Sequence, residues 1–453
     1  MIGKVLVANR GEIAARIVDA CRKAGVRSVA VYSDPDAQAP HLQRADEAYA
    51  LGGALAAESY LNQSALLEVA RSAGCDAVHP GYGFLAENAE FARAVEQAGM
   101  VWIGPAPECI EAMGSKHQAR ELAVSLGVPV VPGSAVLSEE DDAALAEAAA
   151  GVGYPLLVKA SGGGGGIGMR AVAQPQDLAA AVRATRDLAG KHFSDGAIYL
   201  ERLVARPRHI EVQVFGFGNG EAVHLFERDC SIQRRYQKVV EEAPAPNVPD
   251  ATLERMRAAA LALARSQNYR GAGTVEFLYD TDTGEFYFLE MNTRIQVEHP
   301  ITEMITGVDL VGMQIELAAG RLAPVVQASL AMRGHAFECR VYAERPAKHF
   351  LPSTGVLEVF DFPAGAQGLR VDTGYAQGMR VTHLYDPLLA KVIAWGETRG
   401  AAAQRMRDAL AAFQVKGVET NLGMLQALMS HEALLNGTPT TQFLALYPET
   451  AVA

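Results

Sequence analysis

Glu290, Asn292, Arg294, Gln296 and Glu298 stand at every second position of one short stretch, with Met291, Ile295 and Val297 between them. A period of two predicts that such a set lies on one face of an extended chain. A solvated edge strand seldom mixes two carboxylates, two carboxamides and a guanidinium without a Lys or Thr, so the pattern points to chemistry rather than to a wetted surface. Just upstream, Thr274 to Tyr279 reads as a strand and Asp280 to Gly284 as its turn, which predicts a hairpin that sets Glu276 beside Glu290. Two carboxylates and an amide oxygen are ligands for a hard cation that keeps waters and bridges phosphates, the usual setting of Mg²⁺. A nucleotide enzyme is the expectation.

The elements that must position this stretch follow from pattern and composition. A chain of 453 residues, 49% hydrophobic and 20% charged, suggests a soluble globular protein of about three domains at roughly 150 residues each. The net charge of -12 excludes an overall basic surface for nucleic acid, so any polyanion has to be met locally. The five cysteines form no C-x-x-C pair, which argues against a disulfide framework or a structural zinc site and fits a reducing cytoplasm. Cys230 reads as a small buried thiol. The apolar run Val5 to Ala8 breaks at Asn9 and Arg10, and no segment approaches the ~18 apolar residues of a membrane span, so neither a leader nor a membrane association is expected.

In chain order, a strand at Lys4 to Ala8, a helical pattern to Gly25 and a strand at Ser28 to Tyr32 predict a parallel α/β sheet. The dinucleotide fingerprint G-x-G-x-x-G is absent there. Ala77 to Leu85 is a strand entering a glycine-bearing loop, where Tyr82 and Gly83 are substrate-pocket candidates and His79 is a structural histidine. A helix carrying Lys116 follows, and the prolines of Val128 to Gly133 mark a domain boundary. A strand ending in Lys159 then enters a loop of six glycines and leaves as Met169 to Val172, a hairpin flap. It lacks the Lys-Ser/Thr pair and the helix of a Walker loop, yet its backbone N–H groups can approach phosphate oxygens because no Cβ intervenes. Ile198 to Leu203 reads as a strand meeting a hinge, and His209 to Val214 as the first strand of a third unit. Arg234, Arg235 and Lys238, mixed with Gln233, read equally as a solvated charged surface or as positive charge placed for an anion.

Taken together, Lys159 with the glycine flap, Glu201, Arg228 to Ser231, Gln237 to Pro244, Gly271 to Phe277 and Glu290 to Pro300 resemble the biotin carboxylase branch of the ATP-grasp family. The likeness extends from Ala8 to Glu12 and His79 to Phe84 through Gly334 to Arg340 and Tyr385 to Pro387, nearly the full length. It implies a mixed α/β and α+β ATP-grasp fold: an N-terminal parallel α/β domain (1–113), a linker and mobile glycine-rich lid (114–203), a catalytic domain (204–335) and a C-terminal region (336–453). By the same resemblance ATP lies between lid and catalytic domain. Lys116, Lys159, Gly165 and Gly166 meet its phosphates, the hinge Glu201, Arg202, Leu203 and Val204 meets adenine, and His209, Gln233 and Tyr236 lie against the nucleotide. Glu276, Glu290 and Asn292 hold Mg²⁺, with Mn²⁺ as an alternative. Lys238, Arg294, Gln296 and the backbone at Val297 bind bicarbonate with Glu298 as its base, Arg340 meets the biotin ureido oxygen, and Tyr82 contacts substrate.

The implied activity is ATP-dependent carboxylation of biotin through carboxyphosphate, the first half-reaction of an acetyl-CoA or other acyl-CoA carboxylase of the kind that serves fatty acid biosynthesis. The chain departs from the family at Ile167, where Lys or Arg is common, and at Tyr236, where His is common. No Met-Lys-Met biotinylation turn occurs in the sequence, so biotin is expected on a separate biotin carboxyl carrier protein, with carboxyltransferase subunits completing the system and a homodimer as the working assembly. Two other readings stand beside this one. Another ATP-grasp ligase, such as an amide-forming or carbamoyl phosphate enzyme, would share Glu276, Glu290 and Asn292. A non-catalytic nucleotide-binding subunit would be expected to have lost a metal carboxylate or Glu298.

Overall fold

The computed structural model describes residues 2–137, 142–160, 169–193, 197–363 and 365–452. Strands β1 (Lys4–Val7), β2 (Arg27–Tyr32), β3 (Glu47–Ala50), β4 (Ala77–His79) and β5 (Val101–Trp102) form a parallel sheet in the order β3-β2-β1-β4-β5. Helices cover both faces, which is why Val5, Leu6 and Val7 run apolar without alternation and are wholly buried. At the carboxyl ends of β1 and β4 the Asn9 amide donates to the carbonyls of Pro80 (2.7 Å) and Tyr82 (2.8 Å), fixing the glycine-bearing loop.

The lid is a small antiparallel sheet of β6 (Leu156–Ala160), β7 (Met169–Val172) and β8 (Ile198–Arg202) in the order β7-β6-β8. The glycine flap between β6 and β7, with Gly165, Gly166 and Ile167, lies outside the described residues.

Eight antiparallel strands make the principal sheet: β9 (Pro207–Phe217), β10 (Ala222–Arg234), β11 (Gln237–Ala243), β12 (Arg270–Asp280), β13 (Phe286–Asn292), β14 (His335–Tyr342), and the strands Leu369–Thr373 and Leu388–Gly396. Their order is β13-β12-β9-β10-β11-β14, then Leu388–Gly396, then Leu369–Thr373, so one sheet runs continuously past residue 335. Its register does the positioning. Arg228 pairs with Glu211, Glu211 with Glu276, and Glu276 with Glu290, a single rung over four neighbouring strands. Residues directly opposite across strands share a face, so the expected meeting of Glu276 and Glu290 occurs and two further charged residues join it. On the other face Val212, Val275, Phe277 and Phe286 pack against the helix Asp250–Ser266.

The period-two reading of residues 290–298 is corrected in one respect. β13 stops at Asn292, and residues 293–298 form a bent loop leading into the helix His299–Thr306. The side chains still converge, because the loop curls back over the sheet face instead of continuing along its edge.

Phe277 is wholly buried and meets Phe286 edge to face at a centroid distance of 5.4 Å. Replacing Phe277 by Ala is expected to cost about 3–5 kcal/mol, read as a clear fall in Tm by circular dichroism. An unchanged Tm would remove this cluster from the support of the catalytic rung.

Candidate active site

A cleft of about 1000 Å³ opens between the lid and the principal sheet. Lys159 and Glu201 line it from the lid, Lys116 from the first turn of the helix Lys116–Ser125, and His209, Gln233, Tyr236, Lys238, Glu276, Glu290, Asn292 and Arg340 from the sheet. The loop contributes Arg294, Gln296, Val297 and Glu298. Residues scattered over more than two hundred positions thus line one cleft.

At its centre the Lys238 ammonium donates to Glu211 (2.6 Å), Glu276 (2.8 Å) and Glu298 (2.7 Å). An ammonium has three N–H donors, and all three are used. Burial alone would lower the Lys238 pKa, but the carboxylates raise it well above its ordinary value. Burial likewise opposes ionisation of Glu276 and Glu298. Lys238 and His209 nevertheless hold Glu276 low, and Lys238, Arg340 and Arg228 hold Glu298 low. Both are carboxylates at neutral pH.

Arg228 forms the floor, with no exposed surface and five donors used: Nε to Glu211 (2.5 Å), Nη1 to Gln213 (2.6 Å) and Thr302 (2.9 Å), Nη2 to Thr274 (3.2 Å) and Gln296 (2.9 Å). Gln296 is thereby fixed with its amide nitrogen on Glu276, 2.9 Å away. The Gln233 amide donates to the Cys230 carbonyl at 2.8 Å and lies 3.0 Å from His209 Nδ1, leaving Nε2 toward Glu276 at 2.9 Å. Cys230 is buried, as expected, and its thiol is pushed well up by burial and then by Glu211.

Asn292 donates to Glu276 (2.9 Å) and accepts from Arg294 (3.0 Å). Arg294 also reaches Glu87 of the N-terminal domain at 2.7 Å. Glu290 is exposed to the cleft, and its carboxyl is raised above its ordinary pKa by partial desolvation between the cleft walls and by Glu276. Among the described residues, two clusters have ligand atoms mutually within 4.8 Å, His209 with Glu211 and Glu276, and Glu211 with Cys230 and Glu298. Lys238 already gives both of them a cation. Additional positive charge is best met on the Glu290 side of Glu276, where Lys238 makes no ion pair with Glu290 and the carboxylate and amide oxygens of Glu276, Glu290 and Asn292 are a donor set suited to Mg²⁺.

Arg340 donates to Glu298 at 2.9 Å and lies 2.6 Å from Glu241, while its Nε has no hydrogen-bond partner. Both Glu241 oxygens are also without hydrogen-bond partners, and burial pushes that carboxyl up to about 7 in spite of Arg340. In the lid, Lys159 and Glu201 form an ion pair.

Several expected residues stand elsewhere. The Tyr82 hydroxyl donates to Glu12 rather than lining the cleft. Arg202 is exposed and Val204 buried at the end of β8, and with Leu203 they stand off the cleft lining. Residues that sequence reasoning left without a role are Glu87, Glu211, Arg228 and Glu241. Glu211 alternates with His209 and Gln213 and could have been read from that period. Glu87 could not, since its partner Arg294 is 207 positions away.

The family model "Biotin carboxylase, N-terminal domain" matches residues 1–110, "Carbamoyl-phosphate synthase L chain, ATP binding domain" residues 115–324, and "Biotin carboxylase C-terminal domain" residues 338–446. The chain is 49% identical to a biotin carboxylase of Halalkalibacterium halodurans over 98% of this chain and 97% of that protein. It is 47% identical to the mitochondrial methylcrotonoyl-CoA carboxylase subunit alpha of Oryza sativa, covering 98% of this chain but only 60% of that longer protein. The biotin carboxylase domain dimer of Hydrogenobacter thermophilus 2-oxoglutarate carboxylase, solved with MgADP, ADP and bicarbonate, superposes with a TM-score of 0.91 at 43% identity, covering 100% of this chain and 99% of that one.

Breaking the central cluster has a definite cost. Lys238→Met leaves Glu211, Glu276 and Glu298 without their shared cation, and is expected to destabilise the protein by about 3–5 kcal/mol at pH 7. Because Glu276 and Glu298 are depressed in the folded protein, their contribution is present above the unfolded value near 4.5 and is lost as pH falls below it. The gap between native and Lys238→Met stability should therefore narrow in acid. Equal chemical denaturation midpoints at pH 7 would contradict the cluster's role.

Proposed function

This chain belongs to the biotin carboxylase family, and from that premise we propose how the side chains of its cleft divide the work. The activity is ATP-dependent carboxylation of biotin by a ligase with an ATP-grasp domain. The observation that carries the assignment of roles is the Lys238 ammonium, which ties a phosphate-side carboxylate, Glu276, to the carboxylate beside Arg340, Glu298.

ATP lies under the lid, with Lys116, Lys159, His209, Gln233 and Tyr236 around it and Glu201, the hinge residue that lines the cleft, at adenine. Glu276, Glu290 and Asn292 would hold Mg²⁺, which when bound neutralises phosphate charge. Bicarbonate is oriented by Lys238, Arg294, Gln296 and the Val297 backbone, and Glu298 takes its proton. As the bicarbonate charge comes against Lys238 and Arg294, it takes up part of the positive charge that keeps Glu298 a weak base, so the base strengthens as the proton is presented. The bicarbonate oxygen attacks the γ-phosphorus and ADP leaves. The resulting carboxyphosphate divides into CO₂ and phosphate, the phosphate accepts the proton of the biotin ureido nitrogen, and that nitrogen captures the CO₂. Arg340, with its unpartnered Nε, stabilises the ureido oxygen as it becomes negative. Lid closure keeps water from the intermediate.

Biotin is carried on a separate carrier protein, and carboxyltransferase subunits pass the carboxyl group to an acyl-CoA or another acceptor. Relatives named for methylcrotonoyl-CoA, pyruvate and 2-oxoglutarate carboxylases mark the range. A homodimer is supported by the dimeric relative, and a reducing, cytoplasmic setting by five buried free cysteines. No helix among the described residues is long and apolar enough to cross a membrane. The domain division at 113, 203 and 335 is the proposed functional partition.

The two arginines should fail differently. Arg340→Ala removes roughly 3 kcal/mol of stabilisation of the ureido anion, about a hundredfold in rate, but leaves the nucleotide groups and Lys238, Arg294 and Gln296 in place, with Lys238 still holding Glu298. It is expected to keep slow bicarbonate-dependent ATP cleavage while carboxybiotin formation collapses. Arg294→Ala should lose both, because bicarbonate is no longer oriented. ADP release and ¹⁴C-carboxybiotin measured in parallel decide the matter, and equal loss of ATP cleavage in the two variants would overturn the separate roles.

A further inference from the structure

Lys391 has no part in the roles above, yet it is a wholly buried ammonium that touches the bicarbonate loop. Its Nζ donates to the Val297 carbonyl at 2.8 Å and lies 2.9 Å from Glu12 Oε1. Asp372 is 3.7 Å away on the next strand, and the buried Glu338 of β14 also bears on it. Lys391 pairs directly with Arg340 across the sheet, so the two cations lie side by side on one face. Arg340 holds the Glu298 carboxylate while Lys391 holds the carbonyl of the preceding residue. The same Glu12 oxygen that faces Lys391 accepts the Tyr82 hydroxyl, which joins the loop after β4 to the bicarbonate loop through two intervening side chains.

A neutral donor would satisfy a buried carbonyl. A buried ammonium costs several kcal/mol to desolvate and survives only with carboxylates around it, here Glu12 and Asp372. The charge makes the bond to the carbonyl roughly twice as strong as a neutral one, and that bond fixes the peptide plane joining Val297 to Glu298. Residues 293–298 have no strand partners of their own, so they need such an anchor. We infer that Lys391 is a positioning residue that sets the bicarbonate loop through the Val297 carbonyl, with Glu12 and Tyr82 holding the ammonium in place.

This inference rests on the reading of residues 294–298 as the bicarbonate site, and the experiment separates the two. Steady-state ATP cleavage by the native chain and by Lys391→Met is measured against bicarbonate and, separately, against ATP. The expected result is a bicarbonate KM raised about tenfold or more, an ATP KM within about twofold of native, and a smaller change in kcat. A folded Lys391→Met with native bicarbonate KM overturns the inference, as does an equal rise in both KM values, which marks a general structural loss. Should Lys391→Met fail to fold because Glu12 is left unpaired, the neutral pair Glu12→Gln with Lys391→Gln decides. A raised bicarbonate KM at unchanged ATP KM supports the anchor, and native values overturn it. ATP cleavage by the native chain that ignores bicarbonate would instead refute the assignment of the loop itself.

Discussion

Everything in the cleft depends on one buried ammonium. Glu211, Glu276 and Glu298 are carboxylates crowded together away from water, an arrangement that self-repulsion and desolvation would otherwise forbid. Lys238 resolves it with one donor for each. Arg228 neutralises the floor beneath, and Arg340 takes the second oxygen of Glu298. The cluster is therefore both the costliest local feature of the fold and the part that aligns the phosphate side with the bicarbonate side.

The sheet makes such an arrangement possible. Antiparallel register sets Arg228, Glu211, Glu276 and Glu290 on successive strands at one level, and Arg340 beside Lys391 at another. A rung position is fixed by the ladder of backbone hydrogen bonds, so these side chains need little adjustment to meet. The loop 293–298 lacks that support and is held from three sides instead: by Glu87 from the N-terminal domain, by Arg228 from below and by Lys391 from the far strand. The parts of the site are thus drawn from the full length of the chain.

Local signals in the sequence were sufficient for the pieces that depend on local pattern. The turn residues at 280–284 predicted the hairpin, and the hairpin set Glu276 against Glu290. Alternation announced β9 and the polar set at 290–298, although it overran the strand, because alternation alone does not record where the backbone ladder ends. What stayed hidden depends on distant pairing. Glu87 has no local mark, Lys391 sits in an apolar strand as one basic residue among many, and Glu211 gains its meaning only from Arg228 and Lys238 on neighbouring strands. Tyr82 was read as a cleft residue from its loop position, whereas the nearness of Glu12 decides where its hydroxyl goes.

Lys238 keeps Glu276 and Glu298 ionised together. The most direct measurement is a ¹³C NMR titration of the native chain labelled at the glutamate carboxyl carbons, with Lys238→Met, Glu276→Gln and Glu298→Gln spectra for assignment. Both resonances are expected to hold their carboxylate shifts well below the ordinary glutamate pKa, and both to titrate at higher pH in Lys238→Met. Either group titrating at its ordinary value in the native protein, or failing to move when Lys238 is removed, would contradict that role of Lys238.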